Sequence, residues 1–479
     1  MILKRFYDEK LAQASYLVGC AATGEALVVD PNRDVAQYVE AAESEGLRLT
    51  HVTETHIHAD FVSGLLELSD RTGARAYLSD EGGPDWRYAF ASSLGAELLR
   101  DGSEFMVGNV RVQVMHTPGH TPEHVSFIIT DTAGADQPMG VFTGDFVFVG
   151  DVGRPDLLEK AAGVTGTMEA GARQLHDSLR RFAGLSDWVQ LWPGHGAGSA
   201  CGKALGAVPS TTLGYEKLFN WAFSHDEEPA FVDAVLAGQP EPPKYFAEMK
   251  RLNRDGPRVL GGFPSPRRKS ADELTALVRA GDLVVDARPW AAFRAGHVQG
   301  VVNIPLNRSF TTWAGWLIPY DRDFHLIVEN DAEHGIAEAV RDLAMIGLDR
   351  IAGFFTEAAV SDAVQAGGRL ATLSEVSPSE ARRRFDAGEA AVLDVRGTAE
   401  WEAGRVPGVA HIPLGYLPER LDEVPRDRPV IVYCQSGARS AIAASVLAAA
   451  GITDVFNLAG GYQAWLAAGH PTDAGVLAA

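Results

Sequence analysis

The chain has 479 residues, 46% of them hydrophobic, which is material for about two to four domains with buried cores. Its 42 Lys and Arg stand against 63 Asp and Glu, a formal charge of −21 that excludes nucleic acid and anionic membrane as expected main partners. No run approaches the roughly 20 uninterrupted apolar residues of a membrane span, and three scattered cysteines, Cys20, Cys201 and Cys434, do not make a disulfide framework, so a protein of the reducing cytoplasm without a leader is expected.

In the first part of the chain, β-rich runs (Ala26–Val29, Leu49–Thr53, Val141–Thr143) alternate with amphipathic helices predicted over Asp34–Glu45 and Phe61–Thr72. That alternation suits α/β layers with the chemistry on loops at strand ends. Just past Leu49–Thr53 comes Thr55-His56-Ile57-His58-Ala59-Asp60-Phe61, whose two histidines can aim at one point. Further on, His116-Thr-Pro-Gly-His120 places a histidine in a Pro/Gly turn, Phe142-Thr-Gly-Asp145 ends a strand on a carboxylate, and Trp192-Pro-Gly-His195 ends another on a histidine. Four such loops can converge on one metal. Imidazole suits iron or zinc, and two histidines with one carboxylate and open positions form the pattern of oxygen-activating Fe(II). His51, His116 and His124 are read as structural.

From about Ser210 to Gly262 the character changes. Gln239-Pro240-Glu241-Pro242-Pro243 breaks a helical stretch, and Phe263-Pro264-Ser265-Pro266 reads as an extended linker. An internal repeat follows: the block from Asp286 to Pro305 matches that from Asp394 to Pro413 without a gap. The expected domains are 1–262, 268–366 and 373–479.

Val430–Tyr433 is a buried-strand pattern, and a helix is predicted from Ser440 to Ala450. Between them lies Cys434-Gln435-Ser436-Gly437-Ala438-Arg439. A cysteine at a helix N-terminus is biased toward thiolate, and the same field favours a persulfide anion. Gly437 lets the loop curl tightly. Arg439 pins the loop or attracts an anionic acceptor. Cysteine phosphatases have five residues between Cys and Arg; the four here make a tighter loop suited to sulfane sulfur. In the first copy, Leu326-Ile327-Val328-Glu329-Asn330 aligns with Val430 to Cys434. Asparagine cannot hold a persulfide, so this copy is expected to be a catalytically dead spacer or assembly domain. Cys20 and Cys201 lack such a setting and are read as structural, although Cys201, six residues after His195, has a second reading as a sulfur acceptor near the metal.

With these motifs, and Gly153-Arg154-Pro155-Asp156, the first 250 or so residues resemble a persulfide dioxygenase of the metallo-β-lactamase superfamily. The last copy resembles rhodanese sulfurtransferases through Asp394-Val-Arg396, Gly404-Arg-Val-Pro-Gly408 and Ala459-Gly-Gly-Tyr-Gln-Ala-Trp465. The resemblance implies an αββα metallo-β-lactamase sandwich followed by two α/β domains with parallel sheets. It implies one Fe(II) per chain, rather than zinc, on His56, His120 and Asp145. His58, Asp60 and His195 then form a surrounding shell or a vestigial second metal site, and Arg154 contacts an anionic group of the substrate. The implied activity converts a low-molecular-weight thiol persulfide and dioxygen to sulfite and thiol. Cys434, in the loop Gln435, Ser436, Gly437 and Ala438, with Arg439, then passes sulfane sulfur to sulfite, giving thiosulfate in sulfide detoxification. A homodimer or homotetramer is also implied.

Two departures matter. Phe61 replaces the last histidine of the His-x-His-x-Asp-His signature and cannot donate a lone pair. Gly196-Ala197-Gly198 follows His195 where glutathione-specific members carry a tyrosine. The other readings are a glyoxalase II-like zinc thioester hydrolase, which needs two metals, and a non-catalytic sulfur-carrier or redox-sensing scaffold.

Overall fold

Runs rich in Val, Leu and Tyr build two six-stranded sheets in the first part of the chain. In the computed structural model, residues 1–162, 166–239, 241–329, 332–365 and 370–474 are described. The first sheet runs Ile2–Asp8, Gln13–Cys20, Glu25–Val29, Arg48–Thr53, Arg75–Ser79 and Glu97–Leu99, in chain order. The second runs Glu104–Val107, Val110–His116, Val125–Asp131, Gly140–Gly144, Gln190–Pro193 and Thr211–Thr212. Tyr16, Val18 and Leu27 of the first sheet meet Val112, Phe127 and Phe142 of the second in one buried core. The outer face of the first sheet buries Leu17, Val28 and Val52 against Tyr38 and Leu68 of the helices Ala36–Ser44 and Leu65–Thr72. That of the second buries Ile128 and Val141 against Leu175 and Leu179 of Met168–Phe182. This is the expected αββα arrangement, and it puts the four chemistry-bearing loops at strand ends.

The helix predicted from Phe61 starts four residues later, at Leu65. The intervening backbone is engaged elsewhere: the Phe61 carbonyl accepts from Asn253, Ser63 N–H donates to Asn253, and Gly64 N–H donates to Pro31. A Cβ on Gly64 would lie 2.1 Å from the Asn32 carbonyl oxygen, so this close approach requires glycine.

The chain divides into two units, Met1–Phe263 with Ala344–Gly347, and Pro264–Leu343 with Leu348–Ala479. The second holds both repeats. The first repeat has a parallel sheet ordered Val302–Asn303, Leu283–Asp286, Phe324–Val328, Ile351–Thr356. The second is ordered Ser374–Val376, Val455–Leu458, Val430–Tyr433, Ala391–Asp394, Ala410–His411. The central strands are buried throughout, as parallel sheets covered on both faces require. Each repeat keeps the same buried ion pair, Arg288 with Asp286 and Arg396 with Asp394, both at 2.7 Å. Asn330 lies outside the described residues. Among those described, no helix is long and apolar enough to cross a membrane.

Candidate metal centre and sulfur-transfer loop

The loop after Arg48–Thr53, the Pro/Gly turn after Val110–His116 and the end of Gly140–Gly144 bring His56, His120 and Asp145 together, with one ligand atom of each within 4.8 Å of the others. His56 Nε2 lies 3.9 Å and His120 Nε2 3.6 Å from Asp145 Oδ2. The opposite ring nitrogens are engaged: His56 Nδ1 with Thr55 Oγ1 at 3.0 Å, and His120 Nδ1 with the Arg154 carbonyl at 3.0 Å. Such partners fix ring orientation and leave Nε2 for a metal. Asp145 Oδ2 is buried without a hydrogen-bond partner. A buried carboxylate oxygen left bare is costly, and facing two imidazoles it fits a cation. Burial drives the His56 and His120 rings toward the neutral form a metal requires.

His195 joins two carboxylates. Its Nδ1 is 2.7 Å from Asp145 Oδ1 and its Nε2 2.7 Å from Asp60 Oδ2. Burial opposes its charge, but Asp145 and Asp60 outweigh it and hold its pKa well above the ordinary value. Both ring nitrogens of His195 are thus engaged by carboxylates. Phe61 is fully buried, its ring 4.4 Å from that of His58. His58 falls outside the triad: its Nε2 pairs with Asp30 Oδ1 at 3.1 Å, and although burial opposes protonation, Asp30 raises its pKa to about 9. A second set, Asp60, His195 and Cys201, also has ligand atoms within 4.8 Å of one another, and burial, with Asp145 and Asp60, pushes the Cys201 thiol up. Cys20 is buried away from this set, in the core between the sheets.

Arg154 requires a correction. Its side chain is 0% exposed and its guanidinium is spent on Asp156, at 2.7 Å through two nitrogens, and on the Ala200 carbonyl. In this structure the guanidinium is held within the fold, and the Arg154 carbonyl engages His120 Nδ1.

Sequence reasoning missed four supports. Asp30, in the left-handed region at φ 52°, accepts from Thr55 N–H at 2.6 Å and holds His58. His124, read as structural, accepts from Asp145 N–H at 3.1 Å and so aims that carboxylate. Asn253 donates to the carbonyls of His58 and Phe61 at 2.8 and 2.7 Å. Tyr245 lies by Asp60 and Cys201; burial and these neighbours keep its hydroxyl protonated.

In the last repeat Cys434 follows Val430–Tyr433, and the helix Ala438–Ala449 begins two residues earlier than predicted. Cys434 Sγ accepts from Gly437 N–H at 3.1 Å and has Ser440 Oγ at 3.5 Å. Gly437, at φ 99°, provides the turn. The loop rests on another helix start: Tyr462 N–H donates to the Cys434 carbonyl at 2.7 Å and Gln463 N–H to the Gln435 carbonyl at 3.0 Å. Arg439 forms a two-pronged pair with Glu400 at 2.6 Å. That pairing pins the loop.

A cavity of about 810 Å³ adjoins the loop. Ser436, Ala438 and Arg439 line one side; Trp290, Leu306 and Trp313 of the first repeat line another. Glu375 joins the repeats, accepting from Trp290 Nε1 at 3.0 Å, Arg294 Nη1 at 2.7 Å and Asn457 Nδ2 at 3.4 Å. Ser440 Oγ donates to Asn457 Oδ1 at 2.7 Å, so one chain of polar contacts runs from the first repeat to the cysteine.

The metallo-beta-lactamase superfamily model matches residues 9–195, and the rhodanese-like domain model matches 270–357 and 377–468. A metallo-beta-lactamase structure from Staphylococcus aureus is 42% identical with a TM-score of 0.66, over 74% of this chain and 99% of that one. A sulfurtransferase of Allochromatium vinosum is 39% identical over 20% of this chain and 89% of its own length. The mitochondrial persulfide dioxygenase ETHE1 of Bos taurus is 30% identical over 34% of this chain and 59% of its own. A hydroxyacylglutathione hydrolase of Chromohalobacter salexigens is 32% identical over 36% and 58%. The chain thus spans less than two thirds of the last two relatives.

Proposed function

The chain belongs to the metallo-β-lactamase superfamily through its first domain and carries two rhodanese-like domains behind it, and from this we propose that it is a persulfide dioxygenase coupled to a sulfurtransferase. The observation that carries the proposal is the triad His56, His120 and Asp145, with Asp145 Oδ2 buried and bare, beside a motif position where Phe61 offers no lone pair. One metal with an open face suits oxygen chemistry, whereas a thioester hydrolase of this fold wants two metals around a bridging hydroxide.

Fe(II), when bound by the triad, supplies the capacity to activate dioxygen. The chain holds the two Nε2 atoms and Asp145 Oδ2 toward a common point. The balanced conversion takes a thiol persulfide, dioxygen and water to thiol, sulfite and two protons. Cys434 attacks the outer sulfur of a second persulfide, releasing its thiol. Sulfite then takes that sulfur, the Cys434 S–S bond breaks, and thiosulfate leaves with the thiolate regenerated. Gly437 N–H and the helix Ala438–Ala449 favour the anionic sulfur in both forms. Fusion of the parts raises the concentration of sulfite near its consumer.

The test is elemental analysis with oxygen uptake on adding a thiol persulfide. About one iron per chain with uptake is expected. The likeness to a hydroxyacylglutathione hydrolase and the Asp60–His195–Cys201 set favour a second reading, a zinc thioester hydrolase. Two zinc ions per chain, thioester cleavage and no uptake would establish that reading instead.

A further inference from the structure

Burial of Arg154 leaves open which residue meets an anionic substrate. The helix Tyr245–Asp255 supplies one. Lys250 and Asn253 are three apart and share a face. Asn253 is bonded to the carbonyls of His58 and Phe61, so Lys250 stands one turn away at the edge of the metal loop. Its Nζ lies over Trp86, 3.6 Å from the ring centroid. Among the described residues no carboxylate pairs with it, whereas its neighbours Arg251 and Arg254 are matched by Glu248 and Asp255.

Lys250 and Trp86 line a cavity of about 530 Å³. Its other walls include Gly119 and Pro122, on either side of His120, and Pro155, next to the residue whose carbonyl holds His120. Arg251 and Arg254 also line it, and Asp85 is its one carboxylate among the described lining. In a chain of formal charge −21 this is a locally basic hollow beside the metal ligands. A cation on an exposed indole is an ordinary surface contact. Here the ammonium is half-buried with no carboxylate at ion-pair distance, Glu123 and Asp85 acting on it only from further away, and burial lowers its pKa to about 8. Those carboxylates offset only part of its desolvation, which leaves room for a ligand anion at contact distance.

We propose that Lys250, against Trp86, receives the anionic end of the thiol carrying the persulfide, making the substrate class an organic thiol with a carboxylate or phosphate. This rests on the dioxygenase reading. Inorganic polysulfide would leave the cavity unfilled, and a small neutral thiol would not reach the ammonium. In this reading the anion docks on Lys250 and the rest of the thiol lies along the wall formed by Gly119 and Pro122, which flank His120 in the chain.

The test is calorimetric binding of coenzyme A, glutathione and 2-mercaptoethanol to the metal-free full chain, so that binding is read independently of turnover. Wild type is expected to bind at least one of the two anionic thiols. Lys250→Met, which keeps the apolar stem on Trp86, should weaken that binding about tenfold or more, the scale of one charge-assisted hydrogen bond, while Lys250→Arg retains most of it. Phosphate and carboxylate recognition are told apart by which thiol binds. Equal binding by wild type and Lys250→Met, preference for 2-mercaptoethanol, or binding of none of the three would overturn the proposal. Anionic-thiol binding without oxygen uptake on any persulfide would instead remove the dioxygenase reading and leave the receptor standing.

Discussion

Asn253 offers the most informative single substitution. It is 1% exposed, and its amide makes three bonds to the metal loop: Ser63 N–H to Oδ1 at 2.9 Å, and Nδ2 to the carbonyls of His58 and Phe61 at 2.8 and 2.7 Å. Asn253→Ala deletes all three and leaves one N–H and two carbonyls unpaired in a buried place. At about 1 kcal/mol net for each bond, the loss is about 3 kcal/mol. For a unit of this size that corresponds to a fall in Tm of about 6–12 °C. The same loop carries His56, so metal affinity should fall about 10- to 100-fold, the usual scale for groups that orient ligands. Asn253→Asp should be worse than Ala, because a carboxylate would face two carbonyl oxygens. Scanning calorimetry of the full chain and competition with a chromophoric chelator read the two effects separately. A transition moved by less than about 1 °C, with metal affinity within twofold, would refute the clamp.

Four further outcomes are expected. Cys434→Ser should abolish thiosulfate formation while sulfite still accumulates from persulfide; loss of both products, assayed by chromatography, would contradict the separation of the two chemistries. His56→Ala or Asp145→Ala should purify without metal and show no oxygen uptake, and a variant with full metal content would sink the ligand assignment. Glu375→Ala removes contacts to Trp290, Arg294 and Asn457; discounted for their partly exposed setting, these are worth about 1–2 kcal/mol, so sulfur transfer should slow several-fold with oxygen uptake intact, and an unchanged transfer rate would refute the link to Cys434. Burial lowers the Lys250 pKa from 10.5 to about 8, with Glu123 and Asp85 opposing and Arg254 assisting. Since only the unfolded chain holds that proton between the two values, stability should gain from this group as pH rises from 8 toward 10.5, while affinity for an anionic thiol, full below pH 8, is lost above it; a titration in which Lys250→Met follows the wild-type curve would dismiss this assignment.

The candidate metal ligands and the loop cysteine were largely legible because they sit in short strand-end motifs, where a histidine or cysteine next to Gly or Pro has a local signature. His56, His120, Asp145 and Cys434 are of this kind. The repeat was legible because a buried Asp–Arg pair and a Gly-bearing turn recur in register. The partners were not. Asn253 acts on His58 across 195 residues, and Glu375 meets Trp290 across 85; no periodicity links such positions. The late start of the helix Leu65–Thr72 has the same origin, since Phe61 and Ser63 bond to a distant side chain. Arg154 misled for a different reason: an arginine in a conspicuous motif reads as a receptor, but an aspartate two residues on captures it.

The cavity shared by the two repeats changes what duplication means for this chain. A copied domain stripped of its nucleophile is ordinarily free to drift or be deleted. Here the first copy contributes Trp290, Leu306 and Trp313 to the cavity beside the Cys434 loop and anchors Glu375 through Trp290 and Arg294. Selection can then release the cysteine position while still acting on the rim, so mutational tolerance within one copy should be split between its two loop sets. Excising the first copy would remove that wall of the cavity and leave the Cys434 loop open on one side.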